Sequence, residues 1–216
     1  MNLRHNSWTI VGVYVFFIAG GIWNSLGYFQ NFMTYTTPAV LVITAIVSYS
    51  LTYRISWKSG LAALAIFVVT WGVEALGVAT GFPFGEYVYT DTLGLQVLGV
   101  SLVIPFAWIA VISGSDAVTG HFFSRVSVLL VGLFATIFDF FLEFAADALD
   151  YWHWEGGFPP TSNYMSWFVI SVAAAALLRD TTKRRSHLRL PAHLYMAQLW
   201  YFALTVVGLK SRIFLP

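Results

Sequence analysis

Three carboxylic acids lie inside apolar runs of the sequence: Glu74 in one run, Asp139 and Glu143 in another, with Asp147 closing the second. A charge at bilayer depth costs several kcal/mol, so such residues usually face the interior of a helix bundle and serve a function. Asp139, Glu143, Asp147 and Asp150 are separated by four, four and three residues. On a continuous helix they fall within a stripe of about 80°. Four acids on one face repel one another if all are ionised, so at least one is expected to hold its proton. A neutral carboxylic acid is what a general acid requires. The alternative is that these acids only hydrogen-bond neighbouring helices. Pairing with arginine is not expected, because no arginine or lysine lies in the core of any apolar run.

The elements that position these acids are expected to be membrane-spanning helices. Of the 216 residues, 58% are hydrophobic and only 10% charged, with a mean hydropathy of +0.74. A soluble domain carries about 25% charged residues, so lipid must cover most of this surface. Runs of the kind that span a bilayer occur at 8–28, 38–53, 61–80, 95–113, 122–146, 164–178 and 192–209. The first is read as a retained helix, not a signal. The expected fold is all-α, a polytopic bundle of about seven helices forming one transmembrane domain over residues 1–216.

Lysine and arginine placement orients it. With seven spans, Arg4, Arg54, Lys58, Arg125, Arg179, Lys183, Arg184, Arg185 and Arg189 share one side, and only Lys210 and Arg212 the other. This predicts a multi-pass protein of the cell membrane with a cytoplasmic N-terminus, and reads Lys183–Arg185 as a solvated loop facing anionic lipid. Glu74, Asp139, Glu143, Asn163 and Trp167 then fall at similar depth in the outer half and are expected to share a pocket. The outer loops carry Glu86, Asp91, Asp150 and Glu155 among Phe82, Phe84, Tyr87, Tyr89, Tyr151, Trp152, Trp154 and Phe158. Such aromatics form either an interfacial belt or, given the surrounding glycines and prolines, structured loops folded over a cavity. Pro105, inside the fourth run, is expected to kink its helix, with or without functional meaning.

Other chemistries find no support. There is no cysteine, hence no thiolate nucleophile or thiolate metal site. His5, His121, His153, His187 and His193 form no metal-ligand spacing, and no metal site is expected. A net charge of +1 supplies no surplus of cations for nucleic acid. No nucleotide motif is present.

Several segments resemble the carotenoid hydratase family, whose members add water across the 1,2 double bond of an acyclic end group. They are EALGVATGFPFGEYVY from Glu74 to Tyr89, PFAW from Pro105 to Trp108, FDFFLE from Phe138 to Glu143, YWHW from Tyr151 to Trp154, and NYMSW from Asn163 to Trp167. They occur in the family's order over roughly residues 70 to 170. Where family members commonly have aspartate followed by proline, this chain has Glu143 and Phe144; it also has Ser101 in place of a proline and Ser166 in place of a glycine.

The resemblance implies a cofactor-independent enzyme acting on lycopene, γ-carotene or a C50 precursor within membrane lipid. It implies protonation of the alkene to a tertiary carbocation and capture by water. Onto that reaction the residues map as catalytic Asp139, Glu143 and Glu74, with Asp139 the expected donor because it lies deepest in its run. Trp71, Tyr87, Tyr89, Trp108, Trp152, Trp154 and Trp167 are candidates for holding the substrate and stabilising the cation, and Asn163 for orienting water or a carboxylate. Three other readings stand beside it. A carotenoid cyclase or isomerase begins with the same protonation. A passive carotenoid binder needs the cavity without the acid. A rhodopsin-type photoreceptor needs a lysine midway along the last helix, whereas Lys210 lies at its end.

Overall fold

A computed structural model describes residues 7–121, 126–185 and 189–213, with the backbone alone described for His121 and 209–213. Arg4, His5, Phe122, Arg125 and His187, used in the sequence reading, lie outside the described residues. Among those described, seven helices form an all-α bundle: α1 (Ser7–Leu26), α2 (Gln30–Thr52), α3 (Trp57–Thr80), α4 (Ile104–Val118), α5 (Val126–Ala146), α6 (Thr161–Thr181) and α7 (Arg189–Ile213). Four short strands complete it: β1 (Tyr87–Tyr89), β2 (Gln96–Val97), β3 (Val100–Ser101) and β4 (Trp152–Trp154). Helices α1, α2, α3, α5 and α6 are long and apolar enough to cross a membrane. Their outward faces carry exposed apolar side chains such as Phe16, Ile43, Leu64, Leu133 and Val169. Soluble proteins rarely expose apolar surface on this scale, and the chain is a membrane protein.

Helix α4 is the centre. Almost every residue from Ile104 to Ala117 is buried, as expected of a helix apolar on all sides, and it packs against α2, α3, α5 and α7. The run at 95–113 predicts a helix beginning too early. Residues 96–101 instead form the β2–β3 hairpin, whose tight turn places Leu98 and Gly99 at φ 54° and 77°. Pro105 therefore lies in the first turn of α4 and does not kink it; there its missing N–H costs no hydrogen bond. Conversely, α2 starts earlier than predicted and carries Pro38 within it. Helices α1 and α7 run parallel, joined by Tyr14 to His193 (3.1 Å) and by Asn24 Nδ2 donating to the Tyr201 hydroxyl (2.6 Å).

The end of the bundle that holds the α2–α3 and α6–α7 connections is more tightly built than a solvated loop. Arg54 N–H donates to Lys183 O (2.8 Å) and Arg185 N–H to Thr52 O (2.8 Å). The Arg185 Nε bonds the carbonyls of Ser50 and Tyr53. Asp116, an acid the sequence reading passed over, is buried on α4. Arg184 Nη1 donates to its Oδ1 (2.9 Å), the Tyr53 hydroxyl donates to its Oδ2 (2.9 Å), and Arg179 stands 4.0 Å away. A buried carboxylate–arginine pair thus exists, contrary to expectation, because the arginine reaches in from a connection and not from a span. Removing one partner of such a pair leaves an uncompensated buried charge. Arg184→Ala is expected to destabilise the bundle by about 3 kcal/mol, and adding Asp116→Asn should recover part of that loss. Thermal unfolding in detergent checks both; strictly additive losses would deny the pair its role.

Candidate active site

At the opposite end, two connections fold over the helices. Helix α3 ends at Gly81, which adopts φ 75° and donates its N–H back to Gly77 O (2.7 Å). The chain then returns across Gly77, so closely that a Cβ there would lie 2.8 Å from Phe84 Cδ2 and 3.0 Å from the Tyr87 hydroxyl. Strand β1 pairs antiparallel with β4 in the register Tyr87↔Trp154, Val88↔His153 and Tyr89↔Trp152. Alternate residues of a strand face opposite ways. Tyr87, Tyr89, Trp152 and Trp154 therefore point into the bundle while Val88 and His153 point out.

Each inward side chain ends on an acid. The hydroxyls of Tyr87 and Tyr89 donate to Glu74 Oε2 at 2.5 and 2.8 Å, and Trp108 Nε1 on α4 donates to Glu74 Oε1 at 2.9 Å. The indoles of Trp152 and Trp154 donate to Glu143 Oε2 at 3.0 and 2.7 Å. On α6, Asn163 Nδ2 donates to both Asp139 Oδ2 (2.8 Å) and Glu143 Oε1 (3.2 Å). Burial, then the nearby Glu74 carboxyl, push the Tyr87 and Tyr89 phenols well above their ordinary pKa; both stay protonated and remain donors. Glu74 and Glu143 thus each accept three bonds, an arrangement that suits an ionised carboxylate. Asp139 differs. It is fully buried and, among the described residues, accepts from Asn163 alone, with no hydrogen-bond partner for its Oδ1.

These groups enclose a cavity of about 30 Å³. Glu74, Tyr87, Tyr89, Trp108, Asp139, Glu143, Trp152, Trp154, Asn163 and Trp167 all line it. Trp108 and Trp167 stack at 3.5 Å with their planes 11° apart, forming one wall. Trp71 is not brought in. It lies three residues, roughly 60° of helix rotation, from Glu74, and packs half-buried against the core. Phe84, Ile104, Ala107 and Leu142 complete the lining. Phe84, Ala107 and Leu142 are flanked by motif residues, but an apolar side chain in an apolar run carries no sequence signal of its own. The predicted acidic stripe also ends early. Helix α5 stops at Ala146, Asp150 turns into the left-handed region (φ 56°), and Asp147 and Asp150 are exposed.

A family model described as carotenoid biosynthesis protein matches residues 34–216. The chain belongs to that family. It is similar to the bisanhydrobacterioruberin hydratase of Haloarcula japonica, with 31% identity over 144 residues, covering 61% of this chain and 48% of the relative. The chain thus spans about half the length of the relative it matches. No solved structure matches it.

The close seating of the β1 connection on α3 is directly testable. Gly77→Ala forces Phe84 and Tyr87 outward, and overpacking of this kind costs about 1–3 kcal/mol. Thermal unfolding should show that loss, while Gly72→Ala on the open side of the same helix, where a Cβ meets nothing within 4 Å, should show none.

Proposed function

We propose that this protein adds water across the terminal C1′=C2′ double bond of an acyclic carotenoid end group. The observation that carries the reading is the contrast among the three acids. Glu74 and Glu143 are held by donors on both oxygens, whereas Asp139 presents a buried oxygen without a partner among the described residues. That oxygen is where a transferable proton resides. Asp139 gives its proton to C2′, the less substituted carbon, leaving a tertiary cation at C1′. Water attacks C1′, and its proton passes to Glu143, one turn along α5. Return of that proton to Asp139 restores the starting state, so alkene and water become a tertiary alcohol with no net change in the protein.

The surroundings fit each step. A water needs about 10–15 Å³ of cavity, so the space has room for roughly two. The carbocation is stabilised by the faces of surrounding aromatics, each worth about 2 kcal/mol where water is excluded; Trp108, Trp167, Tyr87, Tyr89, Trp152 and Trp154 supply them. Asn163 holds Asp139 and Glu143 at a common donor, and Glu74 fixes the Tyr87, Tyr89 and Trp108 wall. The end group is larger than the cavity, so it takes its place by displacing lining side chains. Lycopene, γ-carotene and a C50 precursor are the substrate candidates, reaching the bundle through membrane lipid. The arginine-rich end faces the cytoplasm and the cavity lies in the outer half of the cell membrane.

The test is expression in a lycopene-accumulating bacterial host, followed by chromatography and mass spectrometry of the pigments. The expected product is heavier than lycopene by one water. Asp139→Asn should reduce it by about two to four orders of magnitude, the worth of a general acid. A product of unchanged mass but altered chromophore would indicate cyclisation. Pigment that co-purifies with the protein yet never changes, with γ-carotene and a C50 precursor also tried, would replace the enzyme reading with that of a binder.

A further inference from the structure

His153 lies midway between Trp152 and Trp154, on the outward face of β4. Its Nδ1 is 2.6 Å from Asp147 Oδ1 and its Nε2 is 2.8 Å from Asp150 Oδ1. An ionised carboxylate only accepts, and a neutral imidazole has a single N–H. Both bonds can exist together only when both ring nitrogens carry protons. The two aspartates are themselves anchored. Asp147 directly follows α5, the helix that bears Asp139 and Glu143, and Asp150 is held from the other connection by Thr92 Oγ1 on its Oδ2 (3.3 Å) and by Thr90 Oγ1 on its carbonyl.

We propose that His153, as the imidazolium clamped between Asp147 and Asp150, is the positioning residue that holds Trp152 and Trp154 in their donor places on Glu143. The clamp fixes the centre of β4 to the end of α5. Because residues 152 and 154 flank it on the opposite face, their indoles are thereby fixed relative to the carboxyl one helical turn inside α5. Among the described residues, no other titratable group bonds the ring. Its partner across the strand pair is Val88, and Glu86 and Glu155, at the other end of that pair, face each other. The hydrogen bonds to Asp147 and then Asp150 raise the His153 pKa above its ordinary 6.5. The sign follows: the clamp is complete below the ordinary value, and is lost as pH rises through the raised one.

The role in turnover rests on the hydratase reading, but the positioning does not, and the experiment separates them. In protein with 15N-labelled tryptophan in detergent, the indole N–H signals of Trp152 and Trp154, assigned from Trp152→Phe and Trp154→Phe, should move together as pH rises through the His153 titration. Asp147→Asn with Asp150→Asn should carry that step down towards the ordinary histidine value. His153→Arg, a fixed cation with several donors, should abolish the step with both indoles still bonded. In proteoliposomes loaded with acyclic carotenoid, the alkaline limb of wild-type conversion should follow the same step and flatten in His153→Arg. His153→Ala should lower turnover by about ten- to a hundredfold at all pH values, the scale of a small misplacement of catalytic groups.

Indole signals that stay put while the His153 ring titrates would overturn the proposal, whatever the activity. Signals that step as expected in a protein that converts no carotenoid would uphold the positioning and remove the hydratase reading.

Discussion

Everything at the cavity end follows from the cost of burying carboxyl groups that, among the described residues, pair with no cation. A buried polar group without hydrogen bonds is expensive, and a buried charge far more so. Glu74 and Glu143 meet that constraint with neutral N–H and O–H donors, six bonds between them. Neutral donors satisfy an acid without cancelling its charge by a cation. The other end of the bundle solves the same problem for Asp116 with Arg184. The two ends thus bury their acids in opposite ways, one against neutral donors and the other against a cation.

The donor requirement also accounts for the architecture around the cavity. Fifteen residues of α-helix measure about 22 Å, well short of the roughly 30 Å of a hydrocarbon core, and α4 is that short. The space above it is taken by the β1–β4 pair and the β2–β3 hairpin. Non-helical backbone within a membrane is tolerated where it lines a cavity; Tyr87, Tyr89, Trp152 and Trp154 of the β1–β4 pair line this one, whereas the β2–β3 hairpin leaves Val97 and Leu98 exposed. A three-residue strand with both ends turned inward is well suited to the task, because alternation sends two side chains inward and leaves one outside.

Much of this was legible in the sequence, in ways that follow from its physics. Acids four apart in an apolar run declared their shared face, and Asp139 and Glu143 share it. Aromatics crowded among glycines and prolines suggested loops folded over a cavity, which is how residues 81–89 and 151–160 lie. The failures have physical causes too. Leu95, Val97, Leu98 and Val100 are as apolar as a helix would be, so hydropathy could not distinguish an apolar hairpin from the start of α4. Helical spacing continued to Asp147 and Asp150 only on paper, since the chain leaves the helix at Ala146. Asp116 drew no attention because its partner, Arg184, belongs to a connection rather than to any apolar run. Pairings that join distant parts of the chain leave no local periodicity.

The distances along the chain between each acid and its donors matter for how the protein enters the bilayer. Glu74 is separated from Tyr87 and Tyr89 by 13 and 15 residues, and Glu143 from Trp152 and Trp154 by 9 and 11. Each glutamate therefore meets donors from the segment that emerges directly after its own helix during synthesis. Asp139, joined to Asn163 across 24 residues, must await the following helix. Each glutamate can thus gain two of its three donors by local folding of a helix and its trailing loop, the third coming later from Trp108 or Asn163. Among the described residues Asp139 has no donor before α6 arrives, so it is the last of the three to receive its first hydrogen bond.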